Sequence, residues 1–93
     1  MSLDEGMARL RAQYRTRLER DGEALGSAQA AGDRAALLRI AHGLAGSAGT
    51  FGYPRISEAA HEAEEALDSG GSDSDLGALI RRIHREIAAA LKA

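Results

Sequence analysis

Cysteine, tryptophan and valine are absent from this 93-residue sequence, and proline occurs once, as Pro54. Without cysteine, the fold cannot depend on disulfides or on thiolate zinc sites. The lack of valine and the presence of only three aromatic residues, Phe51, Tyr14 and Tyr53, argue against a β-sheet, because strands favour Val, Ile, Tyr and Phe. Alanine occurs 20 times, which favours closely packed helices.

The sequence also lacks a strong excess of one charge and any long apolar run. A formal net charge of -2 gives no basic surface for binding nucleic acid. No apolar run approaches the roughly 20 residues that a membrane-spanning helix requires, and no secretory signal is visible. With 28% charged and 44% apolar residues, the composition is typical of a folded domain. We therefore expect a soluble cytoplasmic domain that binds neither nucleic acid nor membranes.

Apolar residues recur at helical spacing in four segments. Residues 3–28 read as one long helix, or as two helices broken near Thr16, and Gly32 and Asp33 then suit a helix end and a new N-cap. The second segment covers residues 34–52, the third begins at Pro54, and the fourth follows the loop at residues 68–75. The pattern predicts an all-α fold, an antiparallel up-down four-helix bundle, with a short extra N-terminal helix if the first segment is broken. We expect one domain over residues 1–93.

The second segment places three glycines in its apparent helix, Gly43, Gly46 and Gly49. Each would cost roughly 0.5–1 kcal/mol relative to alanine. Successive helical residues rotate by about 100°, and the apolar stripe of this helix centres on Leu44. His42 then lies about 160° from that centre, on the solvent side, with Gly46 and Gly49 flanking it. Gly43 lies at an intermediate angle that suits helix packing.

The exposed face around His42 is therefore predicted to carry little bulk. Gly46 removes the side chain nearest the imidazole along the helix, so another protein's active site can approach closely. Leu38 and Ala45 lie at the margin of this face. A neutral imidazole is a competent nucleophile at neutral pH. The pattern predicts a docking surface of Gly46, Gly49, Ala45 and Leu38 around a reactive His42.

Other kinds of chemistry have less support in the sequence. A general base needs a cleft and an oriented partner, and Ser47, on the flank of the same helix, has no obvious activating base. His42, His61 and His84 lack the i, i+4 spacing of local metal ligands, so we expect no metal site. His61 and His84 fall at the edges of apolar stripes, which is typical of solvated or half-buried side chains.

Residues 41–67, AHGLAGSAGTFGYPRISEAAHEAEEAL, resemble the signature of histidine-containing phosphotransfer (HPt) domains. That signature has a histidine, a leucine two residues later, Gly-Ser-Ala-Gly, an aromatic or aliphatic residue, and a glycine. A further helix with small residues near a glutamate follows. The matching positions are His42, Leu44, Gly46, Ser47, Ala48, Gly49, Phe51 and Gly52, and more loosely Ile56, Ser57, Ala60 and Glu64.

The resemblance implies a phosphocarrier of a two-component phosphorelay rather than an enzyme. His42 would accept a phosphoryl group from the aspartate of a response-regulator receiver domain and pass it to another receiver. The domain has no nucleotide-binding loop. It would need no cofactor, because the receiver would bring Mg²⁺ and a lysine. The implied partners are receiver domains and, in some systems, a hybrid sensor histidine kinase, and we expect a monomer.

One position departs from the family pattern. The family usually has lysine three residues after the histidine, where this chain has Ala45. Arg39, one turn before His42, is either a substitute cation for the phosphoryl group or a solvated surface residue. The departure also leaves open an HPt-like module that binds a receiver or kinase without carrying phosphate. A third alternative, a small enzyme using His42 as acid or base, lacks partner residues in the sequence.

Overall fold

Four α-helices account for nearly all of residues 2–93, the part of the chain that the computed structural model describes. They are α1 (Leu3–Ala31), α2 (Arg34–Ser47), α3 (Pro54–Asp68) and α4 (Asp73–Lys92). These residues form no strand, and the all-α prediction is confirmed. No helix among them combines the length and the apolar character needed to cross a membrane.

The helix ends follow from local sequence signals. Three N-cap side chains accept a hydrogen bond from a backbone N–H in the first turn, those of Ser2, Asp33 and Ser72. Gly32 follows the last residue of α1 and adopts a left-handed backbone conformation, with φ of 66°. Glycine has no Cβ, so this conformation causes no steric clash. Pro54 is the first residue of α3. A backbone N–H at this position has no partner within the helix, so proline, which lacks the N–H, costs no hydrogen bond there.

Side-chain contacts between the helices define an antiparallel up-down bundle. The Tyr14 hydroxyl lies 2.8 Å from the Ser47 Oγ, which joins the N-terminal half of α1 to the C-terminal end of α2. Arg15 donates to the carbonyls of Ala90 and Leu91 and so joins α1 to the C-terminal end of α4. The Ser57 Oγ, near the start of α3, donates to a carbonyl near the end of α2. Each helix therefore packs antiparallel to the next, and α4 closes against α1.

One apolar core holds the bundle together. Small alanine side chains alternate with leucine and isoleucine, so the helices approach closely. The largest fully buried side chains are those of Leu18, Leu25, Leu44, Ile56, Ile80 and Ile83. No polar or charged residue in the described part of the chain is buried, so burial in this core is almost entirely apolar.

The first helix is continuous. Nothing interrupts it near Thr16, whose hydroxyl donates to the carbonyl of Ala12 one turn earlier. The alternative of two shorter helices is therefore wrong, and residues 2–93 contain no separate N-terminal helix. The reason is that the residues around Thr16 include no proline or glycine to break the backbone hydrogen bonds of the helix.

The second helix is shorter than its apolar pattern predicts. It ends at Ser47, and residues 48–52 form turns that lead into α3, so the expected end near Gly52 is wrong. The N–H of Tyr53 donates a hydrogen bond to the carbonyl of Ala48, and Gly52 adopts a φ of 89°. Glycine permits this reversal, and the reversal brings Phe51 onto the Tyr14 ring, with centroids 4.3 Å apart.

Tyr14 should make the stability of the fold sensitive to alkaline pH. Burial raises the pKa of the Tyr14 phenol above its ordinary value of 10.0. The folded state then holds the phenolic proton more tightly than the unfolded chain does, so the free energy of unfolding falls as pH rises above about 10. We expect urea midpoints of the wild type to fall more steeply between about pH 9 and 11 than those of Tyr14→Phe. Equal slopes for both proteins would contradict this account.

Candidate functional site

His42 lies on the exposed side of α2, five residues before the helix ends at Ser47. Its side chain is 76% exposed, whereas Ala41 and Leu44 on the same helix are buried. The difference follows from helical phase, because the stripe that packs into the core leaves His42 near the opposite side. The imidazole therefore stands where a second protein can reach it.

A carboxylate on α3 holds one nitrogen of this imidazole. Glu64 Oε2 lies 2.5 Å from His42 Nδ1, and the Glu64 side chain is only 19% exposed. A carboxylate can only accept, so Nδ1 carries the proton and donates it to this bond. In the neutral ring the other nitrogen, Nε2, is then left with its lone pair. The contact fixes both the tautomer and the orientation of the ring.

The other two histidines lie in different surroundings. His61 is exposed, with Nε2 3.0 Å from Glu65 Oε1 and Nδ1 3.9 Å from the second oxygen of Glu64. His61 therefore lies next to the site, because Glu64 is near both His61 and His42. His84 Nε2 donates to the carbonyl of Gly22 on α1, at 3.0 Å. This bond links α4 to α1 and gives His84 a structural role.

A shallow groove between α2 and α3 runs alongside His42. Its lining residues come from one face of each helix and are Ala35, Leu38, Arg39, His42, Glu64 and Asp68. Leu38 is half-buried and gives the groove an apolar part. Arg39 is exposed and is the only cation among the lining residues. The groove therefore brings Leu38 and Arg39, both singled out in the sequence, next to the histidine.

Gly46 faces open solvent one turn after His42. A Cβ built at Gly46 would meet no atom within 4 Å, so no packing requirement explains the glycine. Ala45 differs, because it is half-buried and packs against the core. Its carbonyl accepts a hydrogen bond of 2.7 Å from the Ser57 Oγ on α3. Gly46 thus leaves clear space beside His42, while Ala45 forms part of the contact between α2 and α3.

The structure places the other two glycines differently from the sequence argument. Gly49 lies beyond the end of α2, so the helical phase used to place it does not apply. It is exposed, and its missing Cβ would lie 3.6 Å from the Ser57 Oγ. At Gly43 a Cβ would come within 3.3 Å of Arg17 Nη2, which indicates close packing against α1. Gly43 therefore has the packing role that its intermediate angle suggests.

The glutamate is the residue whose role sequence reasoning missed. In the family signature Glu64 is only one of the loosely matching positions that follow the histidine. It lies 22 residues from His42, and no local spacing relates the two. The available signal was its place at the edge of the apolar stripe of α3, the helix that follows α2 through a short turn.

The protein is thus a four-helix bundle with an accessible histidine, His42, whose ring is oriented by Glu64. The surface one turn after His42 carries no side chain, because residue 46 is glycine. The family model of the Hpt domain matches residues 9–93, nearly the whole chain, and the chain belongs to this family. The resemblance found in residues 41–67 is thereby confirmed. Hpt domains are phosphocarrier modules of phosphorelays that interact with receiver domains and kinases. No curated protein and no solved structure shows significant similarity to the chain.

Proposed function

We propose that His42 accepts a phosphoryl group from the aspartyl phosphate of one response-regulator receiver and passes it to the aspartate of another. The hydrogen bond between His42 Nδ1 and Glu64 is the observation that carries this proposal, because it leaves Nε2 as the nucleophile on an exposed ring. We assign the surrounding docking surface to Gly46 and Leu38, completed by exposed Gly49 in the turn after α2 and by the exposed part of half-buried Ala45.

The transfer uses an electron pair on His42 and needs no proton from solvent. The Nε2 lone pair attacks phosphorus, an N–P bond forms, and the P–O bond to the aspartate breaks, with its electron pair leaving on the carboxylate. Positive charge develops on the ring, whose Nδ1 keeps its proton, and the nearby Glu64 carboxylate stabilises that charge. The reverse steps deliver the phosphoryl group to the second receiver.

The remaining components would come from the partner. The receiver supplies Mg²⁺ and a lysine to neutralise the transferring group, so this domain carries no cofactor of its own. A hybrid sensor histidine kinase is a suitable source of the first receiver. We place the domain in the cytoplasm. Disulfides rarely form in that reducing compartment, and this sequence has no cysteine with which to form them.

Incubation with phosphorylated receivers tests the proposed function directly. We expect a phosphate on the domain that is stable in alkali and lost in acid, as an N–P bond requires. The alternative is an HPt-like module that binds a receiver without carrying phosphate, and the Ala45 departure is the observation that favours it. Receiver binding without any phosphate on the domain would support that module and contradict phosphotransfer.

A larger side chain at Gly46 should obstruct docking while leaving the fold intact. Gly46→Gln raises helix propensity and adds bulk in open solvent, so stability should stay the same or rise by about 0.5 kcal/mol. The same bulk lies one turn from the imidazole, and we expect receiver-to-domain transfer to slow by about tenfold or more. Rapid-quench measurement of phosphate transfer, alongside urea denaturation, checks both expectations.

Gly26→Gln is the matched control. Gly26 lies in α1, and a Cβ at this position also meets no atom within 4 Å, so the helix-propensity change is the same. This variant should transfer phosphate at the wild-type rate. If Gly46→Gln also transfers at the wild-type rate, Gly46 does not clear a path to His42.

Arg39 is proposed as the cation that holds the phosphoryl group in place of the family's usual lysine. A phosphoryl group brings nearly two negative charges, and Arg39 lines the same groove as His42. Because the site is exposed, the pairing should contribute on the order of 1 kcal/mol or less. Arg39→Ala should then slow transfer, or shorten the life of phospho-His42, by a few-fold at low salt, and Ala45→Lys should restore much of the loss.

The salt dependence separates this role from a general change in surface charge. Salt screens an exposed ion pair, so the difference between wild type and Arg39→Ala should shrink as ionic strength rises. Arg85→Ala, at an exposed position on α4, removes the same charge away from the groove and should leave both rates unchanged. Wild-type kinetics for Arg39→Ala at low salt would make Arg39 a solvated bystander.

A further inference from the structure

The first turns of α1 expose an apolar stripe that the bundle does not cover. The exposed fractions are 82% for Leu3, 43% for Met7 and 48% for Leu10. Their spacings of four and three residues continue to Tyr14 and Leu18, which are buried in the core. The core-facing stripe of α1 therefore extends past the end of the bundle, where water replaces the neighbouring helices.

The length of α1 explains this overhang. With 29 residues α1 is about 43 Å long, whereas the 14 residues of α2 span about 21 Å. Tyr14 lies level with Ser47, the last residue of α2. The turns before Tyr14 thus project beyond α2. Leu3 and Met7 also precede residue 9, where the match to the Hpt family model begins, so the first part of the stripe lies outside the region matched to the family.

The charges beside the stripe are self-complementary. Asp4 and Arg11 lie on the same edge, about 60–80° from the centre of the stripe. Two such helices packed antiparallel around a two-fold axis place Asp4 of each copy beside Arg11 of the other. The opposite edge carries Gly6, where a Cβ would meet no atom within 4 Å. A second helix can therefore approach closely on that edge.

The end of the bundle offers a matching recess. A groove between the overhang and the turn after α2 is lined by Met7, Leu10, Arg11, Thr50, Phe51 and Gly52. In the antiparallel arrangement, the Leu3 side chain of the second copy lies at the level of this groove. Apolar contacts of Leu3, Met7 and Leu10 would then be buried in both copies, together with two Asp4–Arg11 ion pairs.

We propose that the overhanging turns of α1 form an antiparallel, two-fold symmetric interface with a second copy of this chain. The inference does not rest on phosphotransfer, and it replaces the monomer expected from the sequence. His42 lies outside the stripe, in the groove between α2 and α3, so the His42 side chain of each copy stays accessible in the dimer. The contact is small, and we expect a dissociation constant on the order of 10–100 µM.

Sedimentation velocity over roughly 5–500 µM protein at low salt tests the interface, because that range brackets the expected dissociation constant. The wild type should pass from monomer to dimer. Leu10→Glu places two like charges in the apolar contact and should weaken the dimer by more than about tenfold. Ala30→Glu, at an exposed position near the other end of α1, should dimerise as the wild type does. Circular dichroism should show the same helix content in all three proteins.

Charge exchange gives the sharper test. Asp4→Arg alone or Arg11→Asp alone places like charges opposite each other and should weaken the dimer several-fold. The double exchange, Asp4→Arg with Arg11→Asp, restores opposite charges across the two-fold axis and should recover most of the wild-type affinity. A monomer at every concentration, or a dimer that Leu10→Glu leaves unchanged, would overturn the proposal. Slowed hydrogen exchange at residues 3–10 only when a receiver is added would also overturn it, since a receiver would then be the occupant.

Discussion

His42→Gln should abolish labelling of this domain by phosphorylated receivers, a loss of more than about a hundredfold, because the nucleophile itself is removed. The side chain is 76% exposed, and within residues 2–93 its one hydrogen bond is to Glu64. The substitution should therefore change the free energy of unfolding by less than about 0.5 kcal/mol. The measurement is the amount of acid-labile phosphate on the domain after incubation with phosphorylated receivers.

The other two histidines provide matched controls. His61→Gln and His84→Gln should keep the label, because neither side chain contacts the His42 ring. His61 touches Glu64, so its variant can alter the rate of transfer but not the position of the phosphate. Phosphate that persists in His42→Gln would mean that another residue is the acceptor.

Glu64→Ala should slow transfer to His42 by about tenfold to a hundredfold. The carboxylate holds the proton on Nδ1 and stabilises the charge that develops on the ring, as the aspartate of a catalytic triad does. The loss should be smaller than the roughly 10⁴-fold of a buried triad, because water can solvate the exposed His42 ring. Single-turnover kinetics with an excess of phosphorylated receiver measure this step.

Two further variants separate charge from geometry. Glu64→Gln keeps an oxygen that can accept from Nδ1 but removes the negative charge, so its rate should lie between those of wild type and Glu64→Ala. Glu65→Gln changes the neighbouring carboxylate, which contacts His61 rather than His42, and should transfer at the wild-type rate. Wild-type kinetics for Glu64→Ala would show that the contact with His42 does not contribute to transfer.

The helices and the exposed face of His42 could be predicted from the sequence because they depend on residues close together in the chain. Capping by Asp33 involves a backbone N–H three residues later, within the first turn of α2. Likewise, the 100° rotation per residue relates His42 and Gly46 to Leu44 wherever the helix packs. The roles of His42 as phosphoacceptor and of Gly46 as the clearing residue stay predictions that the experiments above test.

The end of α2 shows where local reasoning failed. The apolar pattern of residues 34–52 fits a helix to the last residue, yet the helix stops at Ser47. The turn that follows brings Phe51 against Tyr14, a residue 37 positions earlier in the chain. Stacking across that separation stabilises the turn, and no helical periodicity contains this information. For the same reason, helical phase predicts a helix face for Gly49 that Gly49 does not occupy.

By itself, the sequence determined four amphipathic helices, the Asp33 cap of α2, and the solvent-side position of His42, since each of these follows from spacings of three or four residues. Only the tertiary structure decided which carboxylate holds the histidine, because Glu64 reaches Nδ1 through the antiparallel packing of α3 on α2. It also decided which part of the α1 stripe is left in water. The same apolar repeat is buried at Leu18 and exposed at Leu3, because the N-terminal turns of α1 project past the C-terminal end of α2.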